Sequence, residues 1–264
     1  NFSGRFVSQN AVVQTLDLNP TFSYQLFPQL SIGAGADYRF SGVQLERNLA
    51  STDPFTNAQV DVAHAKLKSD LLSNGAWGWN AGVMFKPFEA LSVGASYRSK
   101  ITVDYKGDAN FTQRLTGNPI LDALVAATLP QGPHPVATSI EFPASINLGA
   151  GVMLPGGFLL GREADWTEWS SFHQLNIVFP DLTGRDLDRV TAWTDSWAYR
   201  AGIEKKFGNV AIRAGYYFDN TPQPSFDTGP LLSDNDRNVY SAGFGSGTGN
   251  FGLDVGPLLR TFRK

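Results

Sequence analysis

Few residues in this chain are of the types that do acid–base or nucleophilic chemistry. There are three histidines, His64, His134 and His173. Ser170 and Ser171 stand just before His173. A hydrolytic site needs serine and histidine side chains held within hydrogen-bond reach, which adjacency along a chain does not supply. Asp181, Asp186 and Asp188 offer oxygens to a calcium ion, but they lack the glycine-punctuated spacing of a calcium loop. A solvated loop is the ordinary reading of them. With no cysteine, thiolate metal sites and disulfides are excluded. "GFGSGTG" (243–249) lacks the Lys-Ser/Thr pair and the following helix of a phosphate loop, and reads as a glycine-rich strand and turn. The sequence therefore points away from an enzyme, with no cofactor and no metal site expected. A net charge of −3 and the lack of a basic run give no reason to expect nucleic acid. The densest aromatic group is "DWTEWSSF" (165–172). Its Trp166 and Trp169 are three apart, a helical spacing inside a segment that reads as strand.

The elements that position these residues alternate with period two. In "LSIGAGADYRF" the apolar row is Leu30, Ile32, Ala34, Ala36, Tyr38 and Phe40, against Ser31, Gly33, Gly35, Asp37 and Arg39. In "LSVGASYRSKITVDYK" it is Leu91, Val93, Ala95, Tyr97, Ile101, Val103 and Tyr105, against a row that includes Arg98, Lys100 and Asp104. Similar runs occur near 16–26, 79–85, 144–154, 197–203, 210–218 and 251–255. Such alternation predicts strands with one face in an apolar medium, about ten of them. No apolar run is long enough for a transmembrane helix. A mean hydropathy of −0.17 fits strands whose two faces average out.

Short turns ("LFPQ", "KPFE", "LPGG", "FGN" and "SGTGN") alternate with long connections near 48–73, 112–139, 180–192 and 220–238. An outer-membrane barrel places short turns and long loops at opposite ends. Lys100, Asp104, Arg200, Glu204 and Arg213 occupy the polar rows. Drying that many ions in a core would cost several kcal/mol each, whereas a hydrated lumen holds them at little cost. The apolar rows are therefore expected to face lipid. The bland alternative is a large soluble barrel or sandwich. Within the long segment 116–130, Leu121, Leu124, Val125 and Leu129 recur at helical spacing between Asn118-Pro119 and Pro130. Two readings are open for that helix: packing on its own barrel rim, or lining a groove for a hydrophobic ligand. Segment 56–72 is ambiguous between helix and strand.

"NGAWGWNAGVMFKP" (74–87), "LSVGASYRSKITVDYKGD" (91–108), "WTEWSSFHQL" (166–175), "WTDSWAYRAGIE" (193–204) and "DNTPQPSFDTGPLLSDNDR" (219–237) resemble the FadL/TodX-type outer-membrane transporters. The stretches run in family order over almost the whole chain. The resemblance implies a fourteen-stranded antiparallel up-and-down barrel with an N-terminal hatch. It also implies passive carriage of long-chain fatty acids, or of aromatic hydrocarbons in TodX-like branches. The fold class expected is thus all-β, a transmembrane β-barrel with residues 1–264 as one partial domain of about ten strands. The hatch, the kinked third strand and the terminal aromatic strand have no counterpart here, and Pro257 sits at a strand position. The chain, which begins at Asn1 without a signal peptide, is read as an internal fragment. The expected location is the outer membrane of a Gram-negative cell, as a monomer among outer-membrane lipid and lipopolysaccharide. The alternative is a general-diffusion or structural barrel.

The resemblance also supplies site residues. "VQLER" (43–47) matches the end of the fifth family strand and would place Arg47 at the ligand carboxylate; an ordinary rim arginine paired with Glu46 or a lipopolysaccharide phosphate is the alternative. Arg189 matches a second basic position. Leu121, Leu124, Val125 and Leu129 would form the outer hydrophobic groove. Trp166, eight residues past Phe158 on the lipid row, is expected in an aromatic girdle. Trp169, of opposite parity, would face the lumen mouth and border the ligand entrance. Arg162 shares the lipid row unless a bulge turns it inward.

Overall fold

The computed structural model describes residues 3–53, 57–130, 132–184, 186–226, 228–229, 234–248 and 251–262. Residues 54–56, 131, 185, 227, 230–233 and 249–250 lie outside the described residues. The fold is all-β with one short α-helix. Its strand segments form ten antiparallel passes. The first joins β1 (Asn10–Leu18) and β2 (Thr21–Phe27), and the second is β3 (Leu30–Thr52). The third joins β4 (Gln59–Ser69) and β5 (Gly75–Phe88), and the fourth β6 (Leu91–Arg98) and β7 (Ile101–Gln113). After α1 (Pro119–Thr128), β8 (Pro133–Phe142) and β9 (Ser145–Leu154) make the fifth, and β10 (Phe158–Thr167) is the sixth. A separate hairpin of β11 (Gln174–Val178) and β12 (Leu187–Val190) intervenes. Then follow β13 (Ser196–Phe207), β14 (Val210–Asp219) and β15 (Arg237–Thr248). The tenth pass joins β16 (Phe251–Val255) and β17 (Leu258–Phe262).

Each pass pairs with its neighbours. β3 carries β1 and β2 on one side and β4 and β5 on the other. The ladders then run β5–β6–β9–β10–β13–β14–β15 at the short-turn end. Toward the long connections, β4 pairs with β7 and β7 with β8. The splits within passes have local causes. Pro20 and Pro257 bring no N–H to a ladder. Within segment 56–72, Gln59–Ser69 is strand and Leu71–Ser73 a 3-10 turn, so the described part of the connection 48–73 is largely an extended hairpin rather than loop.

In the lower half the expected sidedness holds. Asp37 is fully buried while Ile32 is 43% exposed. Two aromatic rows stand on the outward face. Tyr97, Ile146, Trp166 and Trp197 lie in register across four passes, with Trp197 stacked on Tyr199 at 7°. Phe158 and Phe207 mark the other row, beside the short turns. Eight residues separate Phe158 from Trp166, about 26 Å of strand and about 20 Å of height after a tilt near 40°, close to the ~25 Å apolar band of such barrels. The ladders on both sides of β10 are uninterrupted, so Arg162 faces outward with Leu160 and Ala164. At mid-height an outward arginine costs about 2–4 kcal/mol, falling toward the interfaces.

The upper half departs from the expectation. The fourth pass breaks at Ser99 and Lys100, where Ser99 exchanges hydrogen bonds with the Trp79 backbone (N–H to Trp79 O 2.9 Å; Trp79 N–H to Ser99 Oγ 2.9 Å). Beyond it Ile101, Val103 and Tyr105 are not in lipid. They are 2%, 0% and 1% exposed and pack with Val43 on the inner face of β3. The Tyr105 hydroxyl donates to Ser41 Oγ at 2.6 Å. Asp104 accordingly stands on the outer surface of β7 and Lys100, just before that strand, is exposed too, not in the lumen. The glycine at 78 gives the Ile101 side chain its room: a Cβ there would lie 2.6 Å from it.

Candidate functional site

The lumen has two parts. Below lies a cavity of ≈ 1160 Å³ to which all ten passes contribute, lined by small polar-row residues such as Ser31, Gly82, Ser96 and Gly149. Arg200, Glu204 and Arg213, assigned to the lumen from their parity, do line it. Ion pairs collar its upper wall. Arg39 makes a bidentate pair with Asp17, two bonds of 2.7 Å, and Arg98 Nη1 lies 3.2 Å from Asp37. Arg200 pairs with Asp165 and Glu163.

Above the collar the interior turns apolar. Across the upper wall, ladder register puts Leu45, Leu67 and Ala109 in one inner row, and Arg47, Ala65 and Phe111 in the next. The β11–β12 hairpin and the turn before it cover this wall. Phe172, Leu175, Ile177 and Phe179 are buried against Ala109 and Val136, with Leu45, Leu67, Phe111, Trp169 and Trp193 packed around them. Trp193 meets Trp169 and Phe172 edge-on, at 5.2 and 5.1 Å between ring centres. The cover is pinned to β8 by His134 Nδ1 to Asp181 (2.8 Å) and by the Thr138 hydroxyl donating to the Asn176 carbonyl (2.7 Å).

Arg47 stands between two apolar groups. Two residues below it on the same face, Leu45 packs on the aromatic cluster. Two above, Leu49 packs on a second cluster of Val62, Leu121 and Val125. No bulge intervenes before Leu49, so the three side chains share a face. Arg47 has no acidic partner among the described residues, and Glu46 is engaged with Lys66 (3.1 Å) and His64 (3.5 Å) instead. Burial alone moves the Arg47 guanidinium below its ordinary pKa. A desolvated cation without a counter-charge is a receptor for an anion. Three more polar atoms around the aromatic cluster are buried without a protein partner: Trp193 Nε1, Ser171 Oγ and His134 Nε2. Each such group costs about 1–3 kcal/mol until something pairs with it.

The other sequence candidates fall as follows. Arg189 lies opposite Leu175 in the β11–β12 ladder, so it shares the face turned to the cluster and is half-buried. Trp169 opens a 3-10 turn at the edge of the aromatic cluster. In α1, Asn118 Oδ1 caps by accepting from Ile120 and Leu121 N–H. Leu121, Val125 and Leu129 come together on the β3–β4 hairpin, whereas Leu124 is 59% exposed and apart from them. His173 Nδ1 meets the Ser171 carbonyl, not its hydroxyl, so no serine–histidine contact forms. Asp181, Asp186 and Asp188 each engage a different partner: His134, Phe179 N–H and Gln174. Sequence reasoning did not bring Trp193, Ser171 and His134 together around the aromatic cluster. Their only signal was tryptophan and histidine in stretches that otherwise looked like girdle or loop.

Known proteins agree with this architecture. The chain is 23% identical to a long-chain fatty acid transport protein of Escherichia coli O6:H1, over 92% of this chain and 58% of that protein. It is 24% identical to outer membrane protein P1 of Haemophilus influenzae, over 92% of this chain and 55% of that one. The chain thus spans a little over half the length of these relatives. The crystal structure of a Pseudomonas aeruginosa FadL homologue superimposes with a TM-score of 0.83 at 23% identity, covering 100% of this chain and 63% of the other. The P. putida toluene transporter TodX gives 0.67 at 17%, over 93% and 63%. Since the family profile matches residues 1–257, the chain belongs to the outer membrane protein transport protein family (OMPP1/FadL/TodX).

Proposed function

We propose that this outer-membrane chain is the ligand-binding part of a passive uptake route for long-chain fatty acids or similar hydrophobic molecules. Arg47 carries this reading: a desolvated guanidinium with no acidic partner among the described residues, set between two apolar clusters. A fatty acid asks for that combination, a cation for its carboxylate and dry surface for its tail. The tail would lie among Phe111, Phe172, Phe179 and Trp169. Arg189 would close on the head group from the covering hairpin. Trp193 Nε1 and Ser171 Oγ would donate to the ligand's oxygen atoms, which is how a buried donor without a protein partner is satisfied. Leu121, Val125 and Leu129, with Leu124 on the exposed side of the same helix, would form the first, weaker contact at the rim. The ligand then descends past the ion collar into the lower cavity. The barrel acts as a monomer, with its aromatic rows against lipid and its rim against lipopolysaccharide.

Displacement of a fluorescent long-chain fatty acid from the full-length protein tests this, run beside swelling of protein-containing vesicles in small sugars. Saturable displacement by fatty acid with little sugar entry is the expected result. Free sugar entry with no displacement would instead mark a general-diffusion barrel.

A further inference from the structure

We propose that Arg162 and Lys205 form a site on the outer wall for the phosphate of an anionic phospholipid. Arg162 projects outward midway between the two aromatic rows, four residues above Phe158 and four below Trp166. Its outward surroundings are apolar: Leu148, Ala150, Val152, Leu160, Ala201 and Ile203. It has no acidic partner among the described residues. A guanidinium in that position reaches along the wall toward a polar layer.

The short-turn end supplies a second cation. Lys205 lies opposite Phe158 in the β10–β13 ladder, on the same outward face as Arg162. Its ammonium sits 4.4 Å from the centre of the Phe158 ring and 5.3 Å from that of Phe207, in the lower aromatic row and beside the Gly156 and Gly157 turn. The other end of the ladder offers only Trp166, Trp197 and Tyr199 on that face. Arg162 and Lys205 are separated by four residues, about 13 Å of strand. An extended arginine covers roughly two residues of that, about 6.6 Å, and Lys205, whose ammonium rests over Phe158 on the turn side, would swing up to meet the phosphate. A phosphate held between them accepts a forked pair from the guanidinium and a point charge from the ammonium. Ala150 and Ala201, the two cross-strand neighbours of Arg162, leave a shallow track beside it for an acyl chain. Anionic phosphate on an acyl chain matches both the charge and the apolar track, which a free phosphate does not.

The test uses the full-length protein in vesicles of phosphatidylcholine with and without phosphatidylglycerol, reading retained lipid by native mass spectrometry. Wild type should retain phosphatidylglycerol preferentially. Arg162→Leu should lower that preference about tenfold, the loss of one charge-assisted pair, and should still insert because it places leucine in lipid. Lys205→Gln should lower it several-fold. Equal retention in wild type and both variants would overturn the proposal. Displacement of the lipid by inorganic phosphate would also overturn it, by showing a site for free anion rather than for phospholipid.

Discussion

Arg47→Met separates a ligand-binding role from a structural one. Methionine keeps an unbranched stem between Leu45 and Leu49 and removes the guanidinium. No acid faces Arg47 among the described residues, and its burial is uncompensated. The substitution therefore breaks no internal ion pair and relieves a desolvated charge. Stability should stay level or rise by about 1 kcal/mol, in line with replacing buried ions by apolar groups. Affinity should move the other way. A charge-assisted hydrogen bond in a half-buried site is worth about 1.5–3 kcal/mol, so fatty-acid binding should weaken roughly 10- to 150-fold. The methyl ester of the same acid is the control, because it keeps the tail and lacks the charge. Wild type should prefer the acid to the ester, and Arg47→Met should bind both alike, at the ester's affinity. Titration by fluorescence and urea unfolding in lipid vesicles give the two quantities. The reasoning is refuted if the variant keeps its preference for the acid. It is equally refuted if the variant loses more than about 1 kcal/mol of stability, which would make Arg47 part of the fold's own bonding.

Trp193→Phe keeps a ring against Trp169 and Phe172 but deletes the buried N–H, so ligand affinity should fall about fivefold while stability changes by less than about 1 kcal/mol; the same two assays read it. Asn74→Ala acts on the wall instead. The Asn74 amide donates to the Ser41 carbonyl, Ser69 Oγ and the Asp70 carbonyl, and its oxygen accepts from Lys106 N–H. Its loss should cost about 2–3 kcal/mol in urea unfolding, with fatty-acid affinity measured under native conditions little changed. Asp122 predicts a pH dependence at α1. Thr116 N–H and hydroxyl donate to its carboxylate and hold its pKa below the ordinary 3.8. The folded value is the depressed one, so the anchoring is complete above 3.8 and fades as pH falls through the folded value. Limited proteolysis at α1 should therefore accelerate between about pH 4 and pH 2 in wild type and not in Asp122→Asn; equal acceleration in both would assign the effect elsewhere.

The lower barrel was legible because one physical contrast governs it. Each strand there has hydrocarbon on one side and a wet lumen on the other, so Ile32 and Asp37 fall on opposite faces by simple alternation. The aromatic rows followed from the same count, and Trp166 lies where eight residues from Phe158 place it. The uninterrupted ladder decided Arg162, which parity alone left open. In the upper half both faces of a strand meet protein or water, and alternation no longer names the medium. Ile101, Val103 and Tyr105 continue the row begun by Leu91, Val93 and Ala95, yet they face inward after the break at Ser99 and Lys100. Nothing in the residue types announces that turn. It depends on Trp79, Gly78 and Val43, which are distant in sequence.

The candidate site and that break belong together. The lower lumen is lined largely by glycine, serine and backbone and is collared by ion pairs, so the large apolar side chains that face inward gather above the collar. Dry interior surface arises when strand faces of lipid-like composition are turned inward and then roofed. Here β7 and β8 turn in after the break, and the β11–β12 hairpin supplies the roof with Phe172, Leu175, Ile177 and Phe179. Arg47 needed no turn to face inward, since it follows the unbroken inner row of β3. What sets it apart from Arg39 and Arg98 is the surroundings: those arginines sit among aspartates in the collar, whereas Arg47 sits among leucines above it. The resemblance singled it out, but the lack of an acidic partner among the described residues is a property of the folded wall. A variant that restores the fourth pass to continuous strand at Ser99 and Lys100 should therefore lose fatty-acid binding even with Arg47 intact, because the cation would remain and the dry surface beside it would not.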